Sequence, residues 1–219
     1  MPGFNLTLWG VGTPRTMRAH WMLNEFGLDY EMRPIKPRSG ETRTQEFLAL
    51  NPRHKIPVLQ HGDLVLAESF AIITHLSESF ETPEGFFVPR DPARRAKLNE
   101  WCSFIMMELD ASSLYVIRRH LDLVDEYGAA PNAIDAAKEY FTEQTSALFE
   151  GAVTKNDHVM PEGMSVADIL LMTVVDSALR RSILVPEFLV DYLRRGMNRS
   201  AYRKAFDINF SDRPFDPIA

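Results

Sequence analysis

Two short stretches of the 219-residue chain hold the side chains best suited to chemistry. The first is Gly10-Val11-Gly12-Thr13-Pro14-Arg15-Thr16. It follows an alternating strand pattern (Leu6, Leu8 against Thr7, Trp9) and precedes a helical one, so its hydroxyls belong at a helix N-terminus. There the free backbone N–H groups and the positive end of the helix dipole favour an anion. A hydroxyl can donate to a thiolate that a ligand brings in. A free thiol has a pKa near 8.5, and such surroundings lower it. A drop of about two units makes the thiolate the major form at neutral pH and corresponds to roughly 2.7 kcal/mol. Thr13 is equally suited to a plain N-cap, a position threonine favours. The turn matches the dinucleotide pattern G-x-G-x-x-G only in part, because Arg15 stands at the third glycine and a proline sits inside the turn.

The second stretch runs from Asn51 to Ser69. Pro57 lies at the start of an apolar run, Ile56 to Gln60, where a proline cannot donate to a sheet ladder. Glu68-Ser69 opens the next helix. A serine hydroxyl with helix N-terminal N–H groups can receive a carboxylate, and Glu68 can receive an ammonium. Together they suit the two charged ends of a γ-glutamyl group. An ordinary acidic first turn accounts for the same residues without a ligand.

The elements that must position these residues alternate over the first eighty positions. Strands are predicted at Phe4–Leu8, Tyr30–Ile35, Ile56–Gln60 and Leu64–Ala67, and helices at Met17–Phe26, Thr44–Leu50 and Phe70–Phe80. His61-Gly62-Asp63 reads as a hairpin turn. The order β-α-β-α-β-β-α is that of a thioredoxin-like fold, which carries a C-P-x-C motif where this chain has Thr13-Pro14-Arg15-Thr16. Hydroxyls replace both thiols, and Cys102 is the one cysteine of the chain. A protein-borne dithiol, a disulfide framework and a cysteine-rich zinc site are thereby excluded. In that fold Pro57 would be cis and would leave the Ile56 backbone free to pair with a peptide-like ligand.

Residues 83–92, with three prolines and a glycine, read as a linker. Beyond it only helical periodicity appears: 93 to about 125, 131–149, 165–184, 186–196 and 199–206. An α/β thioredoxin-like domain (1–82) followed by an all-α domain (93–219) is the organisation expected. On the first of these helices, Trp101, Phe104, Glu108, Ser112, Tyr115 and Arg119 share one broad face able to line a cleft, a core or a dimer contact. Trp9 is expected in the core and Arg18 at the surface.

Lys and Arg number 24 against 30 Asp and Glu, a net charge of −6. A general nucleic-acid binder needs a cationic surface, so that class is disfavoured. The most apolar stretch, 166–185, carries Asp168, Asp176, Arg180 and Arg181, too many charges for a membrane span. The histidines show no H-x-x-x-H spacing, and no metal is expected. No basic-then-apolar leader precedes the first strand, and a cytoplasmic protein is expected.

Three stretches resemble the cytosolic glutathione transferase superfamily, of the bacterial-type, theta/nu/beta-like kind: Leu6–Glu31, Phe47–Leu76 and Phe87–Trp101. The middle one, with N-P-x-x-x-I-P-V-L followed by E-S-x-A-I, is the most specific. Ser165-Val166-Ala167-Asp168 resembles the family's helix capping box, whose role is folding. The resemblance implies glutathione as co-substrate, bound by Ile56 and Pro57 at its cysteinyl backbone, by Glu68 and Ser69 at its γ-glutamyl end, and by His54 and Lys55, with Arg53 beside them, at its glycyl carboxylate. It implies Thr13 as the thiolate-holding residue, with Arg15 and Thr16 as neighbours that could share the role. It further implies a small electrophile near Trp101, Phe104, Glu108 and Tyr115, between the two domains, a detoxifying role and a homodimer. A non-catalytic interaction module and a glutathione-dependent isomerase or disulfide reductase are the alternative readings.

Overall fold

A computed structural model describes residues 5–148, 153 and 157–216. They form two compact units, one of residues up to 84 with 197–215 and one built mainly of residues between 85 and 196. Phe4 and Phe149, which the sequence pattern assigns to a strand and a helix, lie outside the described residues.

The first unit is built on a four-stranded sheet in the order β2-β1-β3-β4. Strands β1 (Leu6–Trp9) and β2 (Glu31–Arg33) are parallel, while β3 (Val58–His61) pairs antiparallel with β1 and with β4 (Leu64–Ala67). Alternation along β1 sends its side chains to two faces. Leu6 and Leu8 are buried, as are Met17, Trp21, Met22 and Leu23 of α1 (Pro14–Glu25) and Ile72, Ile73 and Leu76 of α3 (Ser69–Ser79), helices that pack on each other. Trp9 joins Phe47, Ile56 and Val58 in a separate cluster beneath α2 (Gln45–Leu50). Strand β3 starts at Val58, after the proline, because Pro57 has no N–H for the ladder.

The last helix, α10 (Ser200–Asn209), also belongs to this unit, although the sequence reading grouped it with the helical half. It lies along α1. Tyr202 meets Trp21 edge-on at 4.8 Å, and Arg199 forms an ion pair with Glu25.

The second unit is helical. It begins with α4 (Pro92–Phe104), whose N-cap Asp91 accepts from the Arg94 N–H at 2.9 Å. The chain then winds as a π-helix over Ile105–Leu114 before α5 (Tyr115–Leu121), α6 (Val124–Tyr127) and α7 (Pro131–Leu148). Helix α8 (Val166–Leu179) is buried on nearly every side, as a helix apolar all round must be. Its Asp168 carboxylate accepts from the Ser165 N–H and hydroxyl (2.8 and 2.9 Å), the Val159 N–H (2.8 Å) and the Tyr192 hydroxyl (2.5 Å), the full complement a buried carboxylate needs. The helix stops five residues short of the predicted Leu184. Ser182 adopts φ +54°, and the Ile183 and Ser182 N–H groups turn back to Ala178 and Leu179 carbonyls, a Schellman ending. Helix α9 (Glu187–Met197) completes the unit.

Candidate functional site

The turn between β1 and α1 is held from several sides. Gly10 has φ +112°, and a Cβ there would lie 2.6 Å from Ile56 Cβ, so only glycine lets the turn approach Ile56. Buried His20 donates from Nε2 to the Gly10 carbonyl (3.1 Å), and its Nδ1 accepts from the Tyr30 hydroxyl (2.8 Å). Burial pulls the imidazole down to about 4 and pushes the Tyr30 phenol up to about 12, so both groups are neutral at pH 7.

Thr13 is the N-cap of α1, with Pro14 at the first helical position. Its Oγ1 accepts from the Thr16 N–H at 3.0 Å, and Thr16 Oγ1 accepts from the Thr13 N–H at 3.0 Å. This is a capping box with threonine in place of the usual acid or amide. The two hydroxyl oxygens lie 2.9 Å apart. Thr16 has no exposure, and Thr13 is 7% exposed. Of the two residues, only Thr13 keeps any accessible surface.

Ile56–Pro57 is a cis peptide bond. Among the described residues Ile56 makes no backbone hydrogen bond, while the Lys55 carbonyl is held by Asn51 Nδ2 at 2.8 Å. His54 takes φ +57° and donates from Nδ1 to the Thr42 carbonyl at 3.3 Å. The Lys55 side chain is exposed.

Glu68 caps α3 with φ +73° and ψ +116°, a conformation no β-carbon-bearing residue adopts without cost, and its side chain makes no capping bond. Its carboxylate instead reaches Arg53 at 3.0 Å in solvent. Ser69 is buried, and its Oγ accepts from Arg18 Nη1 at 3.2 Å. Arg18, expected at the surface, is 1% exposed. A guanidinium therefore lies under the start of α3, where it adds positive charge to the helix dipole.

In the helical unit the face drawn from Trp101 to Arg119 does not persist. Trp101 and Phe104 meet edge-on at 6.5 Å within α4. The π-helix then intervenes, and its i→i+5 turns wind more slowly than α-helical ones, so residues seven apart no longer eclipse. Glu108 accepts from the Tyr140 hydroxyl of α7 at 2.7 Å, and Tyr115 lies under the Arg119 guanidinium at 4.5 Å. Cys102 is wholly buried, and burial pushes its thiol up, out of range for a nucleophile.

Arg18, His20 and Asn209 were missed as site-shaping residues. Arg18 and Asn209 each carried a signal. Arg18 is one helical turn from buried Met22 (i, i+4), and Asn209 continues the buried stripe Tyr202, Ala205, Phe206 at helical spacing. A polar residue on an apolar stripe needs a buried partner.

The glutathione S-transferase N-terminal domain model matches residues 4–78. Glutathione S-transferase 3 of Zea mays is 30% identical over 167 residues, covering 74% of this chain and 73% of that one. Glutathione S-transferase F14 of Arabidopsis thaliana is 30% identical over 176 residues, 77% of this chain and 65% of that protein, just under two thirds of its length. The theta class glutathione S-transferase of Xanthomonas axonopodis pv. citri, solved with glutathione bound, superposes with a TM-score of 0.77 at 25% identity, covering 91% of this chain and 96% of that one. The chain belongs to the glutathione S-transferase family, and its two-part architecture is that family's fold.

Proposed function

We propose that the protein binds glutathione in its first unit and holds the sulfur as a thiolate beside Thr13 for attack on a small electrophile. The observation that carries this reading is the meeting of three segments: the Gly10–Thr16 turn lies against Ile56, and Arg18 of α1 reaches Ser69. In this reading the free Ile56 backbone pairs with the cysteinyl backbone. Glu68 and Ser69, with the uncapped N–H groups of α3, receive the γ-glutamyl ammonium and carboxylate. His54, Lys55 and Arg53 serve the glycyl carboxylate, and the Asn51-Pro52-x-His54-x-Ile56-Pro57 pattern supports a theta-like subclass. The Thr13 hydroxyl donates to the sulfur and favours its ionised form. Trp101, Phe104, Glu108 and Tyr115 are the candidate electrophile contacts in this reading, with Glu108 also accepting from Tyr140 and Tyr115 also under the Arg119 guanidinium. A domain division at 83–92, a cytoplasmic homodimer and a detoxifying role are parts of the same proposal, supported by the family likeness.

The test is an ultraviolet titration of the bound thiol. Thr13→Ala should raise its pKa by about one to two units while glutathione affinity changes less than about threefold. An unmoved titration would remove Thr13 from the role. The closed capping box around Thr13 favours, as a second reading, binding without transfer. Retention on immobilised glutathione with no turnover of a generic aryl halide would select it.

A further inference from the structure

We infer that Asn209, on the last helix, is a positioning residue for the sulfur-holding turn, an inference that rests on the assignment of Thr13 above. Its side-chain amide reads the turn as a peptide group would. Oδ1 accepts from the Gly12 N–H at 3.1 Å and from the Thr16 hydroxyl at 2.7 Å, and Nδ2 donates to the Thr13 carbonyl at 3.0 Å. A flipped amide would set donor against donor and acceptor against acceptor, so these partners settle its orientation. Asn209 is 4% exposed and lies 196 residues along the chain from Thr13.

The helix that delivers it is fastened to α1. Tyr202 packs on Trp21, Arg199 pairs with Glu25, and Phe206 packs against Phe210 at 5.3 Å and Phe215 at 5.0 Å. Asn209 thus closes a clasp between the Gly12–Thr16 turn and the last helix within one unit.

The clasp also orders the hydroxyl protons. Thr16 has one proton and two carbonyl acceptors, Asn209 Oδ1 at 2.7 Å and the Thr13 carbonyl at 2.8 Å. That proton is therefore directed away from Thr13 Oγ1. Thr13 Oγ1 already accepts the Thr16 N–H, and its own proton is left to donate, to Thr16 Oγ1 in the free protein or to a sulfur anion when one is present. Asn209 touches no reacting atom in this account. It keeps the donor where the thiolate needs it.

The experiment is the ultraviolet titration of bound glutathione in the full chain as wild type, Thr13→Ala, Asn209→Ala and Asn209→Asp. Asn209→Ala should raise the thiol pKa by about one unit and lower kcat about threefold near neutral pH, approaching tenfold toward pH 5, with the loss recovered at high pH. Asn209→Asp keeps the shape but sets an anion against the Thr13 carbonyl and near the thiolate, and should raise the pKa further. A wild-type thiolate that Thr13→Ala shifts and both Asn209 variants leave alone overturns this inference by itself. No thiolate in the wild type overturns the assignment of Thr13 and this inference with it. Should neither Asn209 variant fold, amide hydrogen exchange of wild-type Gly12 decides: protection like that of β1 supports the clasp, and exchange at solvent rates refutes it.

Discussion

Two helices of the first unit present their N-termini differently. The start of α1 is closed: Thr13 and Thr16 cap each other, Asn209 occupies the Gly12 N–H, and Pro14 has no N–H to offer. The start of α3 is open: no side chain among the described residues caps it, Glu68 is held at φ +73°, and a buried Arg18 stands beneath Ser69. An open N-terminus can accept a carboxylate through backbone N–H groups and the dipole. A closed one can act on an anion chiefly through a side-chain hydroxyl. The contrast divides the labour expected of the two ends, with affinity at α3 and thiol ionisation at α1.

The largest effect should come from Gly10→Ala. The new Cβ would collide with Ile56 and sit at an unfavourable φ, costing about 3 kcal/mol or more, read as a lower denaturant midpoint. Near-wild-type stability would show that the two anchors are not held in contact.

Next comes His20. Its folded pKa of about 4 lies below its ordinary 6.5, so the unfolded chain binds the extra proton first. Stability should therefore fall as pH drops from about 6.5 to 4, by roughly 3 kcal/mol in all. In His20→Gln that part of the slope should vanish when unfolding is followed across the same range.

Glu68→Ala should weaken glutathione binding by about tenfold to a hundredfold, the loss of a charge-assisted contact, and leave the pKa of the bound thiol in place. Calorimetric titration beside the ultraviolet titration checks both halves. If Glu68→Ala moved the thiol pKa as far as Thr13→Ala does, the division between the two ends would fail. The smallest effect belongs to Arg53→Ala. Its ion pair with Glu68 is more than half exposed on both sides, so stability should change by no more than about 0.5 kcal/mol in thermal unfolding.

Much of this was legible because the signals are local. Alternation marked β1, Gly62 marked the β3–β4 turn, and Thr13-Pro14 marked a helix start. The π-helix at Ile105–Leu114 was not legible. Its residues suit an α-helix well enough, and the hydrogen-bond register of a buried helix is settled by what packs around it. Ser112 and Ser113 hydroxyls donate five residues back, to Met107 and Glu108 carbonyls, contacts that exist only once that register is chosen. The buried state of Arg18 was missed for a related reason: its partner, Ser69, lies 51 residues away.

The amino-acid sequence by itself determined the order of strands and helices, the cis-capable Ile56–Pro57 step, the acidic serine-led start of α3, and the absence of a second thiol. These follow from periodicity, backbone restriction and composition, which act between near neighbours. Only the tertiary structure decided that α10 returns to the first unit, that Arg18 lies beneath Ser69, and that Asn209 reaches the Thr13 turn. Those are pairings of buried polar groups distant along the chain, and a hydrogen bond across 196 residues is chosen by packing, which no local pattern encodes.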